Sequence, residues 1–292
     1  TYRHHTYVRI FLHQTSAPLS FLMASQATVL AMVTLALLAT VAPEPAVAQN
    51  CGCPPGACCS RWGWCGTGLS YCGDEQCKQG PCWTPLPINV ADIATQGFFD
   101  EIKNRAPPSC PGRGFYSYAA FLDATRSFQN FGRLWQSMDE AKREVAAYFA
   151  HVTQETGSLC KVEEDNKGEY CDRDPKYKDY PCVPGKQYYG RGPLQVSWNY
   201  NYGEAGTALG FDGLGAPERL ATDPGLSFKA SVWFWMKYAR PEFGKGFGAT
   251  TRAVNGDHEC DGKNPNAMNN RANYYQQYCR QLGVSPGDGL TC

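Results

Sequence analysis

Residues 139–157 read DEAKREVAAYFAHVTQETG, and the spacing of their apolar positions decides the class of the larger part of the chain. Val145, Tyr148, Phe149 and Val152 recur at intervals of three and four, which lays them along one stripe of an α-helix. Asp139 opens this helix, with Glu140 and Glu144 in its early turns, where carboxylates suit the positive end of the helix dipole. Gly157 marks its end. Glu155 falls three residues beyond Val152, on the face of the stripe. A carboxyl held against apolar surface is disfavoured in its charged form, which is the condition of a proton donor near neutral pH. His151 lies on the same helix and is read as a packing residue, since neither a nucleophile nor a metal partner is evident beside it.

Nine residues after Glu155 comes Glu164, within the polar run Glu163-Glu164-Asp165-Asn166, which would keep a carboxyl ionised. One carboxyl in each environment is the arrangement that cleaves a glycosidic bond. A helix-end glutamate followed by a solvated acidic run has the same sequence, because separation along the chain does not fix distance in space. Ser227–Arg240 reads as a second helix buried on most sides, with Trp233-Phe234-Trp235 in the core and Pro241 beyond its end. A third helix runs around Ala267–Leu282, its aromatic face built from Tyr274, Tyr275 and Tyr278. Between them lie stretches of Gly, Asn, Tyr and Pro with more loop than sheet, of the kind that carries a site on a rigid scaffold. The expected fold class is mainly α.

The chain of 292 residues has 27 basic and 27 acidic side chains, so nothing in its charge favours nucleic acid or an anionic membrane. Three of its five histidines fall in the first 13 residues, leaving His151 and His258, too few for a multi-histidine centre; neither a metal nor a cofactor is expected. Fifteen cysteines indicate an oxidising compartment and hence a secreted protein. Ser16 to Pro43 carries no charge, Ala27 to Val41 is almost wholly apolar, and Ala46-Val47-Ala48 supplies the small-x-small pattern of a signal cleavage site. Since the first methionine is Met23, residues 1–22 are read as upstream translation and 23–48 as a signal peptide. An uncleaved membrane anchor is the competing reading of the same stretch.

Eight cysteines (51, 53, 58, 59, 65, 72, 77 and 82) crowd into residues 51–82, a disulfide scaffold too small to fold on a core alone. Trp62, Trp64 and Tyr71 lie within it. Exposed, they would form a platform for the apolar faces of sugar rings, with Ser60 as a hydroxyl partner; packed inward, they would shield the disulfides. Residues 83–87 (WTPLP) form a short linker, and 88–292 are long enough for a substantial core.

The string CCSRWGWCG (58–66) followed by YCG (71–73) resembles the hevein-type chitin-binding domain, shortened between its first cysteines. That resemblance makes residues 49–82 the module and implies the bridges Cys51–Cys59, Cys53–Cys65, Cys58–Cys72 and Cys77–Cys82. It places Ser60, Trp62, Trp64 and Tyr71 on sugar-binding positions. The remainder resembles the plant chitinases of glycoside hydrolase family 19, most of all the class IV group, and the joint resemblance spans Gln49–Cys292. It implies a lysozyme-like helical catalytic domain over 88–292. AYFAHVTQETG (147–157) is similar to the helix that bears the family's proton donor, here Glu155, and CKVEEDN (160–166) to the segment that bears its general base, here Glu164. YYGRGPLQVSWNYNYG (188–203) is close to the family signature and places Tyr188, Gln195, Ser197 and Asn201 in the cleft. Asn255, Glu259 and Arg271 match a further polar group there, although the last two could also be an ordinary surface ion pair. The remaining bridges implied are Cys110–Cys160, Cys171–Cys182 and Cys260–Cys292, leaving Cys279 free and buried.

The resemblance implies hydrolysis with inversion, in which Ser197 helps to hold the attacking water and the two carboxyls stand roughly 6.5–9.5 Å apart. Gln154 stands where the family usually has histidine, Lys161 replaces an aromatic residue and is expected near Glu164, and Asp257-His258 replaces a pair that is commonly apolar. The implied protein is a monomeric endochitinase of the extracellular space (apoplast), with no membrane contact after signal cleavage. Its partners would be chitin, N-acetylglucosamine oligomers and the fungal cell wall. A chitosanase- or lysozyme-like glycosidase is the nearest enzyme rival. A chitin-binding lectin-like protein without catalysis is the rival from another class.

Overall fold

In the computed structural model the described residues are 51–73 and 76–292. The expected upstream segment 1–22 and signal peptide 23–48 lie outside them. The amino-terminal cysteines do the work of a core. Three short antiparallel strands, β1 (Cys58–Ser60), β2 (Cys65–Gly66) and β3 (Cys77–Gln79), stand in the order β2-β1-β3, with Cys59 opposite both Cys65 and Gln79. Disulfides Cys51–Cys59, Cys53–Cys65, Cys58–Cys72 and Cys77–Cys82 staple them. Cys58, Cys59 and Cys72 are buried, whereas Trp62 and Trp64 are 68% and 59% exposed. The tryptophans therefore do not serve as a substitute core.

Beyond the linker the described chain has seven helices of eight or more residues. These are α1 (Gln96–Lys103), α2 (Tyr118–Ser127), α3 (Met138–Thr156), α4 (Asn199–Leu209), α5 (Pro224–Phe234), α6 (Phe247–Glu259) and α7 (Pro265–Gln281). α3 packs along α7, and α5 along α2. The rings of Phe99, Phe121, Phe131, Tyr148, Phe149, Phe228 and Trp235 meet between them, fully buried, each contributing on the order of 1.5–3 kcal/mol by burial. Phe121 sits at the centre, 5.0 Å from Phe149 and 5.8 Å from Phe228. The fold is mainly α, as its sequence implied.

Four local differences from the sequence expectation have physical causes. The α3 cap is Ser137 rather than Asp139, because a hydroxyl outside the helix can accept the Glu140 N–H (3.2 Å). α3 is buried all round from Glu144 to Thr153, not along one stripe, since Ala146, Ala147 and Ala150 let neighbours close over its other faces. Glu144 is not a solvated partner of the helix dipole. It is fully buried and accepts hydrogen bonds from the Gly132 N–H (2.9 Å), the Trp135 and Trp235 indoles and Arg240 Nε (2.8 Å). The helix expected over Ser227–Arg240 is α-helical from Pro224, capped by Asp223, only to Phe234, and Trp235–Ala239 then winds as a π-turn. Its i→i+5 bond from the Arg240 N–H to the Trp235 carbonyl brings those two side chains onto one face, where both reach Glu144.

Three further disulfides, Cys110–Cys160, Cys171–Cys182 and Cys260–Cys292, hold the loops and the carboxy-terminal segment. Cys279 is free and buried, and its burial pushes the thiol up to about 11. No helix among the described residues is long and apolar enough to cross a membrane.

Candidate active site

α3 ends in an unusual turn. Gly157, Ser158 and Leu159 are all left-handed (φ 62°, 66° and 62°), a conformation that costs roughly 1–3 kcal/mol at each non-glycine position. Thr156 holds the turn by accepting the Leu159 N–H (2.7 Å) and donating to the Val152 carbonyl (2.6 Å). The Cys110–Cys160 bridge pins it, and a Cβ on Gly112 would come within 2.1 Å of the Leu159 carbonyl. The chain then runs beside the 188–203 segment, with the Gly192 N–H bonded to Val162 O (2.8 Å) and the Glu164 N–H to Gly190 O (2.9 Å). A stiff turn and a short backbone ladder thus place the residues around Glu155 and Glu164.

Their contacts fall into two groups. In the first, Arg271 is buried at 1% exposure and bridges two carboxylates. It grips Glu259 through Nε (2.7 Å) and Nη2 (2.6 Å), and the same Nη2 reaches Glu155 Oε1 at 2.5 Å. Asn255 sits at a kink inside α6 and donates to Glu259 (2.7 Å). Burial raises the Glu259 carboxyl, but the Arg271 hydrogen bonds and charge outweigh it, and Glu259 is held below the usual range. Glu259 and Arg271 are therefore no surface pair. Glu155 differs from its sequence expectation too, since its polar neighbour is a guanidinium rather than apolar surface.

His151 belongs to this group, which corrects its reading as packing alone. Its Nδ1 lies 3.1 Å from Arg271 Nη1 and its Nε2 2.8 Å from Thr250 Oγ1. A guanidinium can only donate, so Nδ1 accepts and the ring proton sits on Nε2, donating to Thr250, whose hydroxyl donates to Phe247 O (2.6 Å). Burial first and the Arg271 charge second hold His151 well below its ordinary value, so the folded protein keeps it neutral. The unfolded chain takes up that proton near pH 6.5, and stability should fall as the pH drops below this value, by up to about 1.4 kcal/mol per unit. His151→Asn is expected to flatten this slope in denaturant titrations between pH 7 and 5. Equal slopes for the two proteins would contradict the neutral assignment. The sequence signal was available: His151 lies four residues before Glu155, on the same helix face.

In the second group two adjacent glutamates part company. Glu163 is claimed by Tyr189 (2.7 Å), Arg191 Nε (3.1 Å) and Lys167 (2.8 Å). Burial raises it, and these donors together bring it below its usual value. Glu164 accepts from the Gly190 N–H (2.7 Å) and the Tyr170 hydroxyl (3.0 Å), both neutral donors. Burial and the neighbouring Glu164 raise Tyr170, so its phenol stays protonated as a donor. Lys161 pairs with Asp165 (2.5 Å) rather than with Glu164. The i,i+4 spacing brings those two exposed groups together.

The 188–203 segment builds a wall beside Glu164. Gln195 (φ 46°) and Trp198 (φ 75°) are held left-handed, and Arg191 pairs across a tight turn with Val196. Gln195 donates to Gly192 O (2.8 Å), while its Oε1 is buried without a partner among the described residues. Ser197 is half-buried and its carbonyl accepts from Asn201 (2.9 Å). Trp198 is 38% exposed, edge-on to Tyr170 (5.3 Å) and parallel to Tyr200 (6.3 Å), which stacks on Tyr177 at 3.9 Å. Neither Trp198, inside the family signature, nor Tyr170, outside it, carried a role legible in the sequence.

Tyr188 is not at a cleft surface. It is fully buried, donating to Leu214 O (3.1 Å) and accepting from the Val183 N–H, so it supports the wall from behind. Gln154 is half-buried, and Asp257 and His258 are exposed. In the amino-terminal module Ser60 is 2% exposed and accepts the Trp64 N–H (3.3 Å), which fixes the loop that presents the tryptophans. Tyr71 is half-buried beside it.

Comparison with known proteins adds a family. The chain matches glycoside hydrolase family 19, described as chitinase class I, over residues 93–242 and 239–292. It is 52% identical over 268 residues to Endochitinase EP3 of Arabidopsis thaliana, covering 90% of this chain and 97% of that one. It is 50% identical over 285 residues to Chitinase 5 of Oryza sativa subsp. japonica, covering 91% and 98%. Among solved structures it is similar to a class IV chitinase of Zea mays, with TM-score 0.67, 48% identity, and coverage of 70% of this chain and all of that one.

Proposed function

The chain belongs to the glycoside hydrolase family 19 chitinases, and on that premise we propose that it hydrolyses the β-1,4 linkages of chitin with Glu155 as general acid and Glu164 as general base. The observation that carries the assignment is the contrast between Glu163 and Glu164. A carboxylate bound to two cations is a poor proton acceptor, and Glu163 is so bound. Glu164 accepts from neutral donors and has no cation bound to it, which makes it the better base.

Arg271 holds Glu259 through two hydrogen bonds and Glu155 through one, so it fixes where the Glu155 carboxyl sits at the end of α3. Glu155 gives its proton to the leaving glycosidic oxygen as the C1–O bond breaks. A water held near Ser197 gives its proton to Glu164 and bonds to C1 from the opposite face, which inverts the anomeric centre. Asn201 and the unpartnered acceptor of Gln195 suit an acetamido N–H, the group that distinguishes N-acetylglucosamine from glucose. Asn255 supports Glu259 from behind.

Residues 49–82 form the chitin-binding module, with sugar stacked on Trp62 and Trp64 beside Tyr71, and 88–292 the catalytic domain. The mature protein is a secreted monomer of the apoplast that acts on fungal cell walls. NMR of newly formed reducing ends during chitohexaose digestion is expected to show α-anomer first. Initial β-anomer would refute the Glu155/Glu164 mechanism, and no cleavage by folded, chitin-retained protein would leave a lectin-like binder.

A further inference from the structure

The linker is not a loose tether. The Trp83 N–H bonds to Cys72 O (2.7 Å) and its ring lies 6.1 Å from that of Trp135. The Leu86 N–H bonds to Arg133 O (2.7 Å), and Arg133 Nε returns a bond to Leu86 O (3.2 Å). The short helix Leu69–Cys72 rests against the Arg240–Lys245 turn that follows α5. These contacts seat the disulfide-rich module on the helical body and leave a groove of about 490 Å³ between them, within the range of small-ligand sites. Trp62, Trp64 and Tyr71 form one wall, and Asn130, Met236 and Pro241 the other.

We propose that this groove is a composite saccharide site, in which an N-acetylglucosamine oligomer stacked on the module's tryptophans also touches Met236 and Asn130 of the catalytic body. The proposal rests on the reading of residues 49–82 as a chitin-binding module and extends the site onto surface that no module by itself supplies. Three features fit an uncharged sugar. Trp62 and Trp64 are the most exposed large apolar side chains among the described residues. Arg61 covers one face of Trp62 at 4.8 Å, so the ring has a single face left for stacking. Among the described residues that line the groove the one charged side chain is Arg240, and its guanidinium is already paired with Glu144. A pyranose has an apolar face for the rings and thioether and a polar edge for the Asn130 amide. The site is also separate from the catalytic one. Arg240 meets α3 at Glu144, eleven residues or about 16 Å along the helix axis from Glu155.

The test uses the mature chain 49–292 carrying Glu155→Gln to stop turnover, with methionine methyls labelled, titrated with chitotriose. Met138, Met236 and Met268 give the three methyl signals. The Met236 signal is expected to move along the same saturation curve as the Trp62 and Trp64 indole N–H signals, while Met268 stays. Met236→Asp should weaken that curve about fivefold, through lost apolar contact and added desolvation, while leaving wild-type hydrolysis of short soluble oligomers unchanged. If the indoles titrate and Met236 does not, the module binds alone and the composite site is wrong. If the indoles themselves fail to titrate, the module reading falls with it.

Discussion

Glu155→Gln is expected to lower kcat on chitin oligomers by about 10²–10⁴-fold while retention on insoluble chitin is unchanged. The amide keeps the shape of the side chain and an oxygen for Arg271, so the Glu259–Arg271–His151 assembly stays in place and only the transferable proton is lost. Glu164→Gln should be equally severe, because an amide cannot accept the proton of the attacking water. Glu163→Gln provides the contrast. It removes a partner of the buried Arg191, so its loss should register in thermal stability before it registers in kcat. A Glu155→Gln enzyme within tenfold of wild type would remove Glu155 from the acid role, and equal kinetic losses at 163 and 164 would undo the discrimination between them.

Glu144→Ala is expected to be the most destabilising single change in the helical body. Its carboxylate is fully buried and accepts four hydrogen bonds, from the Gly132 amide, two indoles and the Arg240 guanidinium. Truncation strands a cation that is itself 3% exposed. Breaking a buried pair from one side costs about 3–5 kcal/mol. At about 2–4 °C per kcal/mol for a body of this size, the midpoint should fall by roughly 6–20 °C in calorimetry. Glu144→Gln keeps an acceptor and should fall less. A shift within 2 °C for the alanine variant would mean that Arg240 finds other partners.

The course of α3 was legible because its apolar spacing matches a helical period, and its end because Gly157 can adopt the left-handed conformation without strain. The role of Glu144 was not, since an acidic residue in an early turn reads the same whether it faces water or four donors from two distant segments. The π-turn after Phe234 was hidden for a similar reason: it is set by Trp235 and Arg240 reaching a common partner 91 and 96 residues earlier in the chain. At the site, residue types and the family signature named the carboxyls. The resemblance put the base at Glu164, but residue type alone does not say which of two adjacent glutamates Arg191 locks, because that depends on which side of a two-residue ladder each one faces. Tyr188 shows the opposite error, a motif residue whose ring turns inward under Leu214.

The seating of Trp83 and Leu86 bears on how the protein meets proteolysis. Endoproteases need a stretch of backbone they can draw out into an extended strand, and joints between secreted modules usually offer one. Here Thr84-Pro85 is held at either end by main-chain bonds and a tryptophan pair, so cutting it must wait until the joint opens. The disulfide-rich module and the helical body should therefore be lost together, and late, rather than severed from each other first.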